Sequence, residues 1–309
     1  MRLLGLHHIT AIASDGKRNV DFYTRALGLR FVKKTVNFDD PGTYHLYYGD
    51  AAASPGTLLT FFLWDGLPRG RSGAGMSTAT AYSVPADALA FWSPRLQANG
   101  VAVTGPTARF GDQVLAFADP DGLPLELVGV NEPDTRTPTP HPEVPAAKAI
   151  RGFHSVSLAT AAASASASVL TADMGYRPVA REGPRARYTV GAGGPGTYVD
   201  LLTDPALPRG RSGLGTVHHV AFRTPNDPSQ QEARDALAER GLDVSPVIDR
   251  SYFHSIYYRE PGGVLFEIAT DGPGFTVDEP LGQLGRKLQL PPWHESRRAE
   301  IEAHLPPLE

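Results

Sequence analysis

The order of apolar and polar positions divides the chain into a unit that recurs. Residues 4–13 alternate as a half-buried strand does, and 15–27 carry apolar side chains at helical spacing and stop at Gly28. Strand-like runs follow near 29–36, 43–48 and 57–63. The same order, one strand, one helix and three strands, fits 76–129, 152–203 and 216–269. Four βαβββ modules therefore account for most of the chain. Their helices read VDFYTRALGL, ALAFWSPRLQANG, ASASVLTADMGY and QQEARDALAERG, with glycine at or just past the end, where a left-handed residue closes a helix. The Ala/Ser run at 161–168 belongs to the third helix and is not low complexity.

A literal repeat joins the halves. LPRGRSG stands at 67–73 and again at 207–213, preceded by GTLLTFFLWDG and GTYVDLLTDPA and followed by GMSTATAYSV and GTVHHVAFRT. The expected fold class is α+β, with two tandem domains of two modules each, 1–130 and 151–271. An exposed, proline-rich linker at 131–150 connects them, and a tail at 272–309 reads as a proline-started helix. The duplicated Arg69, Arg71, Arg209 and Arg211 fall at joints between modules, where solvated arginines are ordinary content.

Composition narrows the function. A chain of 309 residues that is 41% hydrophobic and 20% charged is that of a folded globular protein. A net charge of -4 argues against nucleic acid or an anionic membrane as partner, and no stretch approaches a membrane span. The first residues make a poor secretory signal. Cysteine is absent, which excludes disulfides, thiolate ligands and a cysteine nucleophile and fits a cytoplasmic setting. A small molecule is the expected partner.

The candidate chemistry lies in two doubled histidines and one late glutamate: His7 and His8 in GLHHIT, His218 and His219 in TVHHVAF, and Glu267 in GGVLFEIAT. Two imidazoles and one carboxylate on predicted strands are the ligand set of a facial-triad non-haem iron(II) site. Successive strand residues face opposite ways, so bringing both members of a pair to one centre requires a strand end or a bulge.

The modules, with GLHHITAIA, YHLYYGD, the LPRGRSG segments and DRSYFHSIYYREPGGVLFEIATD, resemble the vicinal oxygen chelate superfamily of glyoxalases and extradiol dioxygenases, within it the hydroquinone-cleaving branch. The resemblance spans residues 4 to about 270. It implies mixed sheets curled into open barrels, in which each module gives a metal cup one first-strand and one last-strand position. Those positions hold His8, Ala79, Ser155 and His219, then Thr60, Glu126, Asp200 and Glu267.

A cup shared by modules one and four would present His8, His219 and Glu267 as metal ligands, with Thr60 opposite. Thr60 is a weak ligand, so three remain, which favours an oxygenase over a four-ligand isomerase. The cup of modules two and three has no imidazole; its Glu126 and Asp200 would bind a hard cation or be solvated, and Glu126 alone reads as structural.

The resemblance further implies Fe(II), with Mn(II) also accepted by such ligands, together with O2 and a hydroquinone-class substrate. His7, Thr10, His218, Arg250 and Tyr257 surround the metal as catalytic residues. In that reading Arg250 and Tyr257 stabilise oxygen charge, and His218 or His7 moves a proton because an ordinary imidazole titrates near neutrality. His254 joins Tyr257 on the strand before Glu267. His45, His141, His154, His294 and His304 read as surface or packing residues. A glyoxalase-type isomerase or lyase and a metal-free small-molecule-binding or resistance protein are the alternatives, and a homo-oligomer is compatible with each.

Overall fold

The computed structural model describes residues 3–132 and 134–308. Module one is β1 (Leu6–Ala13), α1 (Gly16–Asp21), β2 (Arg30–Asn37), β3 (Asp40–Gly49) and β4 (Leu58–Leu63). Module two is β5 (Met76–Pro85), α2 (Leu89–Ala98), β6 (Thr104–Arg109), β7 (Asp112–Ala118) and β8 (Pro124–Val130). Module three is β9 (Gly152–Thr160), α3 (Ala163–Ser168), β10 (Arg177–Glu182), β11 (Arg185–Thr189) and β12 (Tyr198–Thr203). Module four is β13 (Thr216–Thr224), α4 (Asp227–Glu239), β14 (Ile248–Asp249), β15 (Phe253–Arg259) and β16 (Leu265–Pro273).

Local chemistry sets the helix limits. Asp15 caps α1 by accepting from the Arg18 amide, and Asn226 caps α4 by accepting from Ser229. Each module helix is followed by a glycine with positive φ: Gly28, Gly100, Gly175 and Gly241.

Two eight-stranded mixed sheets, curled into half-barrels, result. One runs β14-β15-β16-β13-β1-β4-β3-β2, the other β10-β11-β12-β9-β5-β8-β7-β6. Modules one and four thus share a sheet, as do two and three. The joins are antiparallel, β1 with β13 and β5 with β9, whereas each module's first and last long strands run parallel. Alternate side chains of the central strands fill the cores between sheet and helices, with Tyr23, Trp92, Phe153 and Phe222 fully buried.

The two LPRGRSG copies bind each other. Leu214 donates to Pro68 O at 3.1 Å and Gly70 to Leu214 O at 3.0 Å; in the other direction Ala74 donates to Pro208 O and Gly210 to Ala74 O, both at 2.9 Å. Arg71 and Arg211 exchange a backbone pair at 2.8 and 2.9 Å. Two of the four arginines are not merely solvated, because the Arg71 guanidinium donates to Arg209 O and that of Arg211 to Arg69 O. The repeat is a self-complementary clasp. Its glycines are required by close approach: a Cβ on Gly73 would lie 2.3 Å from Pro208 O, and one on Gly213 2.4 Å from Pro68 O.

Linker and tail are both anchored to the domains. Among the described residues, 131–150 holds no helix or named strand and is mostly exposed or half-buried, with a few fixed points. Val144 is buried, and Arg136 pairs with Asp134 at 2.6 Å while donating to Phe153 O at 2.8 Å. In the tail, the proline-started helix is replaced by a turn, and α5 begins only at Arg298 (Arg298–His304). The cause is packing, since Trp293 meets the Phe38 ring edge-on and His294 Nε2 donates to Phe38 O at 3.0 Å. Upstream, the fully buried Lys33 holds the tail to β2 through Asp278 at 2.5 Å and Glu279 at 2.6 Å.

Substituting Gly213→Ala should therefore lower unfolding free energy by about 1–3 kcal/mol, the usual cost of forcing atoms into a packed site. Gly282→Ala, where an added Cβ meets nothing within 4 Å, should leave it nearly unchanged. Urea unfolding followed by circular dichroism reads both.

Candidate metal centre

The β1–β13 pairing builds the site. Leu6 and His8 pair with Phe222 and Ala221, while Thr10 and Ala11 pair with His219 and Val217, so the register passes over His7 on one strand and His218 on the other. The doubled histidines occupy the bulges that strand alternation demands. A bulge turns a side chain that would face away toward its neighbour. The second sheet repeats the device, its register passing over Thr78 and His154. The parallel pairs Thr10 with Thr60, Ala81 with Glu126, Ser157 with Asp200 and Ala221 with Glu267 place the four last-strand residues at equivalent positions.

His8, His219 and Glu267 converge, all buried, with ligand atoms within 4.8 Å of one another. His8 Nε2 lies 3.3 Å from His219 Nε2 and 3.3 Å from Glu267 Oε2, and His219 Nε2 lies 2.9 Å from the same oxygen. Glu267 Oε1 accepts from Ser255 Oγ, but Oε2 has no partner of hydrogen-bonding geometry.

The tautomers follow from the partners. His7 Nε2 lies 3.1 Å from Thr270 O and must carry the proton there, so His7 Nδ1 accepts and His8 Nδ1, 2.9 Å away, donates. His8 Nε2 is left with a lone pair aimed at Glu267. His218 Nδ1 and His219 Nδ1 lie 2.8 Å apart in the same arrangement. An imidazole lone pair and an orphaned carboxylate oxygen, both buried, are unfavourable together without a cation. These residues fit a divalent metal bound through two nitrogens and one oxygen.

Burial raises the Glu267 carboxyl, but positive charge or N–H donation from His8 and His219 beside it holds it well below the ordinary range, so it is ionised; with those rings deprotonated, the cation it needs has to come from elsewhere. Burial, then the neighbouring imidazole, pushes His7 and His218 down to about 3. Both rings are neutral at neutral pH, and each lies against the imidazole beside it, where it orients that ring.

Thr60 is turned away from ligation, its Oγ1 lying 2.8 Å from both Thr10 Oγ1 and His45 Nε2. His45, read from the sequence as a packing residue, is bonded through Nδ1 to Tyr47 OH at 2.9 Å and lines the cavity over the site. Alternating His-x-Tyr on β3, opposite Thr60 on β4, was the available signal for it. Tyr257 pairs with Glu267 across β15 and β16, and its hydroxyl accepts from Arg250 Nε at 3.2 Å; Arg250 also pairs with Asp39 at 3.0 Å. His254 instead turns outward to Asp227 at 2.6 Å.

The cavity measures about 420 Å³ and has aromatic walls in Phe38, Phe62, Trp64 and Phe253. His8, His219, Tyr257 and Arg250 face into it.

The second cup is closed by its own cations. Arg109 binds Glu126 through two hydrogen bonds of 2.6 and 2.8 Å, and Arg187 binds Asp200 through two of 2.8 and 2.9 Å. Its carboxylates are neither solvated nor free for a hard cation, and the structural reading of Glu126 is the one that applies. His154 is buried, as a packing residue should be, with Nδ1 3.0 Å from Ser155 Oγ.

Residues 5–127 and 152–268 match the family model described as the Glyoxalase/Bleomycin resistance protein/Dioxygenase superfamily. The chain is 46% identical to "Putative ring-cleaving dioxygenase MhqO" of Bacillus subtilis (strain 168), over all of this chain and 97% of that protein. It is 35% identical to the chlorohydroquinone/hydroquinone 1,2-dioxygenase of Sphingobium indicum, over 97% of this chain and 95% of that one. A crystal structure of a candidate dioxygenase from Bacillus subtilis superposes with a TM-score of 0.95 at 46% identity, covering 100% of this chain and 98% of the other. Glyoxalase I of Zea mays shares the fold alone, with a TM-score of 0.65 at 17% identity over 86% of this chain and 92% of the other.

Metal loading separates the two cups. Glu267→Gln should abolish stoichiometric Fe(II) or Mn(II) uptake, His7→Leu should weaken it by about 10–100-fold by freeing the His8 ring, and Glu126→Gln should retain it. Metal analysis after anaerobic loading and desalting checks all three.

Proposed function

The chain belongs to the Glyoxalase/Bleomycin resistance protein/Dioxygenase superfamily, and from that premise we propose that it is an Fe(II)-dependent dioxygenase that opens a hydroquinone-type ring with O2. The observation that carries the reading is the convergence of His8 Nε2, His219 Nε2 and the orphaned Glu267 Oε2, with Thr60 hydrogen-bonded elsewhere. Three ligands on one side leave room for a phenolic oxygen and for dioxygen, whereas a four-ligand isomerase site does not. The names of the relatives at 46% and 35% identity support the same chemistry.

In this reading His8, His219 and Glu267 hold the metal. When bound, it supplies Lewis acidity toward a substrate hydroxyl and the redox capacity that dioxygen requires; Mn(II) suits the same donors. The protein supplies position and electrostatics. Ser255 fixes the carboxylate, and His7 and His218 fix the two imidazoles. The aromatic walls hold one ring and exclude water, which strengthens every charge interaction inside.

Arg250 and Tyr257 bring a guanidinium and a phenolic hydroxyl to one side of the ring, where negative charge develops on oxygen. Burial keeps the Tyr257 hydroxyl protonated, with its pKa well above the ordinary value, so it serves as a donor. Asp39 braces Arg250 from the cavity mouth.

Anaerobically purified protein loaded with Fe(II) should consume one O2 per hydroquinone in an oxygen electrode. Tyr257→Phe should lower kcat by about 10²-fold with metal content unchanged, as loss of one charge-stabilising donor does. No uptake with hydroquinone or any substituted hydroquinone would refute the proposal; turnover without oxygen would favour an isomerase.

A further inference from the structure

A second and larger cavity, about 890 Å³, opens beside the first, and His218 and Leu265 line both. It lies between the second RGRSG copy, the start of β5 and the turn joining β15 to β16. Arg209 and Arg259 are in its wall, and no Asp or Glu lines it, in a chain whose net charge is -4. Among the described residues the Arg209 guanidinium has no side-chain or backbone partner, and Arg259 spends one donor on Gly263 O at 2.9 Å. Ser77, also in the wall, is buried with its Oγ unpaired.

The other half of the chain differs in charge at the corresponding place. There the turn between β7 and β8 carries Asp121, which accepts from Ser14 Oγ at 2.6 Å and pairs with Arg18 at 3.0 Å. In the corresponding turn between β15 and β16 stands Gly262, and the residue after β9 that answers to Ser14 is Ala161. An acid and a hydroxyl in one half are glycine and alanine in the other, so the carboxylate that the first half presents at this turn is missing here.

We propose that this cavity is a carboxylate-binding site that receives the acidic end of the ring-opened product beside the metal cup. The inference rests on the ring-cleaving reading above. In that reaction both oxygen atoms of O2 add to the substrate and one carbon–carbon bond breaks. The hydroxyl-bearing carbon becomes a carboxylic acid and its neighbour an aldehyde, with no other oxidant or reductant. The substrate is neutral and enters an aromatic cavity; the product ionises, releasing a proton, and is an open-chain anion. Two guanidiniums without a competing carboxylate discriminate between the two by charge.

The test uses cis,cis-muconate, an open-chain six-carbon dicarboxylate, titrated calorimetrically into the metal-free full chain so that no metal competes for it. Binding should weaken at least tenfold in the Arg209→Gln/Arg259→Gln variant and persist in Arg69→Gln, whose side chain does not line the cavity. In the Fe(II)-loaded protein, muconate inhibition of hydroquinone-dependent oxygen uptake should fall in the same double variant while the initial rate is kept. The proposal is overturned by no muconate binding, by equal binding to the double variant, or by inorganic phosphate binding as tightly as muconate. Arginine-dependent muconate binding without oxygen uptake on any hydroquinone would leave the anion site standing and defeat the ring-cleaving reading instead.

Discussion

The antiparallel pairing of β1 with β13 is the constraint on which the rest of the molecule depends. It joins the first strand of the chain to one that starts at Thr216, and no short local element could bring His8 and His219 within 3.3 Å. Closing so long a loop costs chain entropy, though that cost grows only logarithmically with length. The clasp of the two LPRGRSG copies works in the same direction. It fixes residues 67–73 against 207–213 just ahead of β5 and β13, so the first strands of modules two and four leave a common point, each toward its own sheet. Duplication made such a clasp possible, because a segment that binds its own copy needs only one sequence.

Within this frame the two cups differ in how they satisfy buried charge. A buried carboxylate needs a paired cation with good hydrogen bonds, or folding bears its desolvation. Glu126 and Asp200 have theirs in Arg109 and Arg187, each in a two-bonded fork. Glu267 stands at the equivalent strand position, equally buried, and faces two imidazoles instead of a guanidinium. One cup carries its cations in the sequence, and the other is short of one. The proposed metal completes that charge balance, and binding it would add to folding stability because the donors are assembled only in the folded chain.

Much of this was legible from residues alone. Apolar periodicity and the repeated heptapeptide located four modules, and aligning them singled out His8, His219 and Glu267 as the positions that the fold brings together. Other features were hidden because they depend on partners distant in sequence. His45 reads as a stray histidine until β3 lies beside β4 and sets it against Thr60. The arginines that close the second cup come from strands, β6 and β11, whose register no motif announces. The tail helix starts late because Trp293 and His294 are captured by Phe38. The burial of His7 and His218 is likewise invisible in sequence, since an imidazole's ordinary pKa says nothing of a site that removes its water.

The number of ligands at the centre is decided by hydrogen bonding as much as by residue type. Thr60 occupies the place from which a carboxylate would complete a four-ligand set, and a threonine hydroxyl is a poor but not impossible metal donor. Here its oxygen is already committed to Thr10 and His45, while His45 is committed in turn to Tyr47. Each member of this chain is buried, so withdrawing Thr60 toward a metal would leave His45 Nε2 or Thr10 Oγ1 unsatisfied, at about 1–3 kcal/mol for each orphaned group. That cost would keep Thr60 out of the proposed coordination sphere, leaving three protein donors and an open side that faces the aromatic cavity.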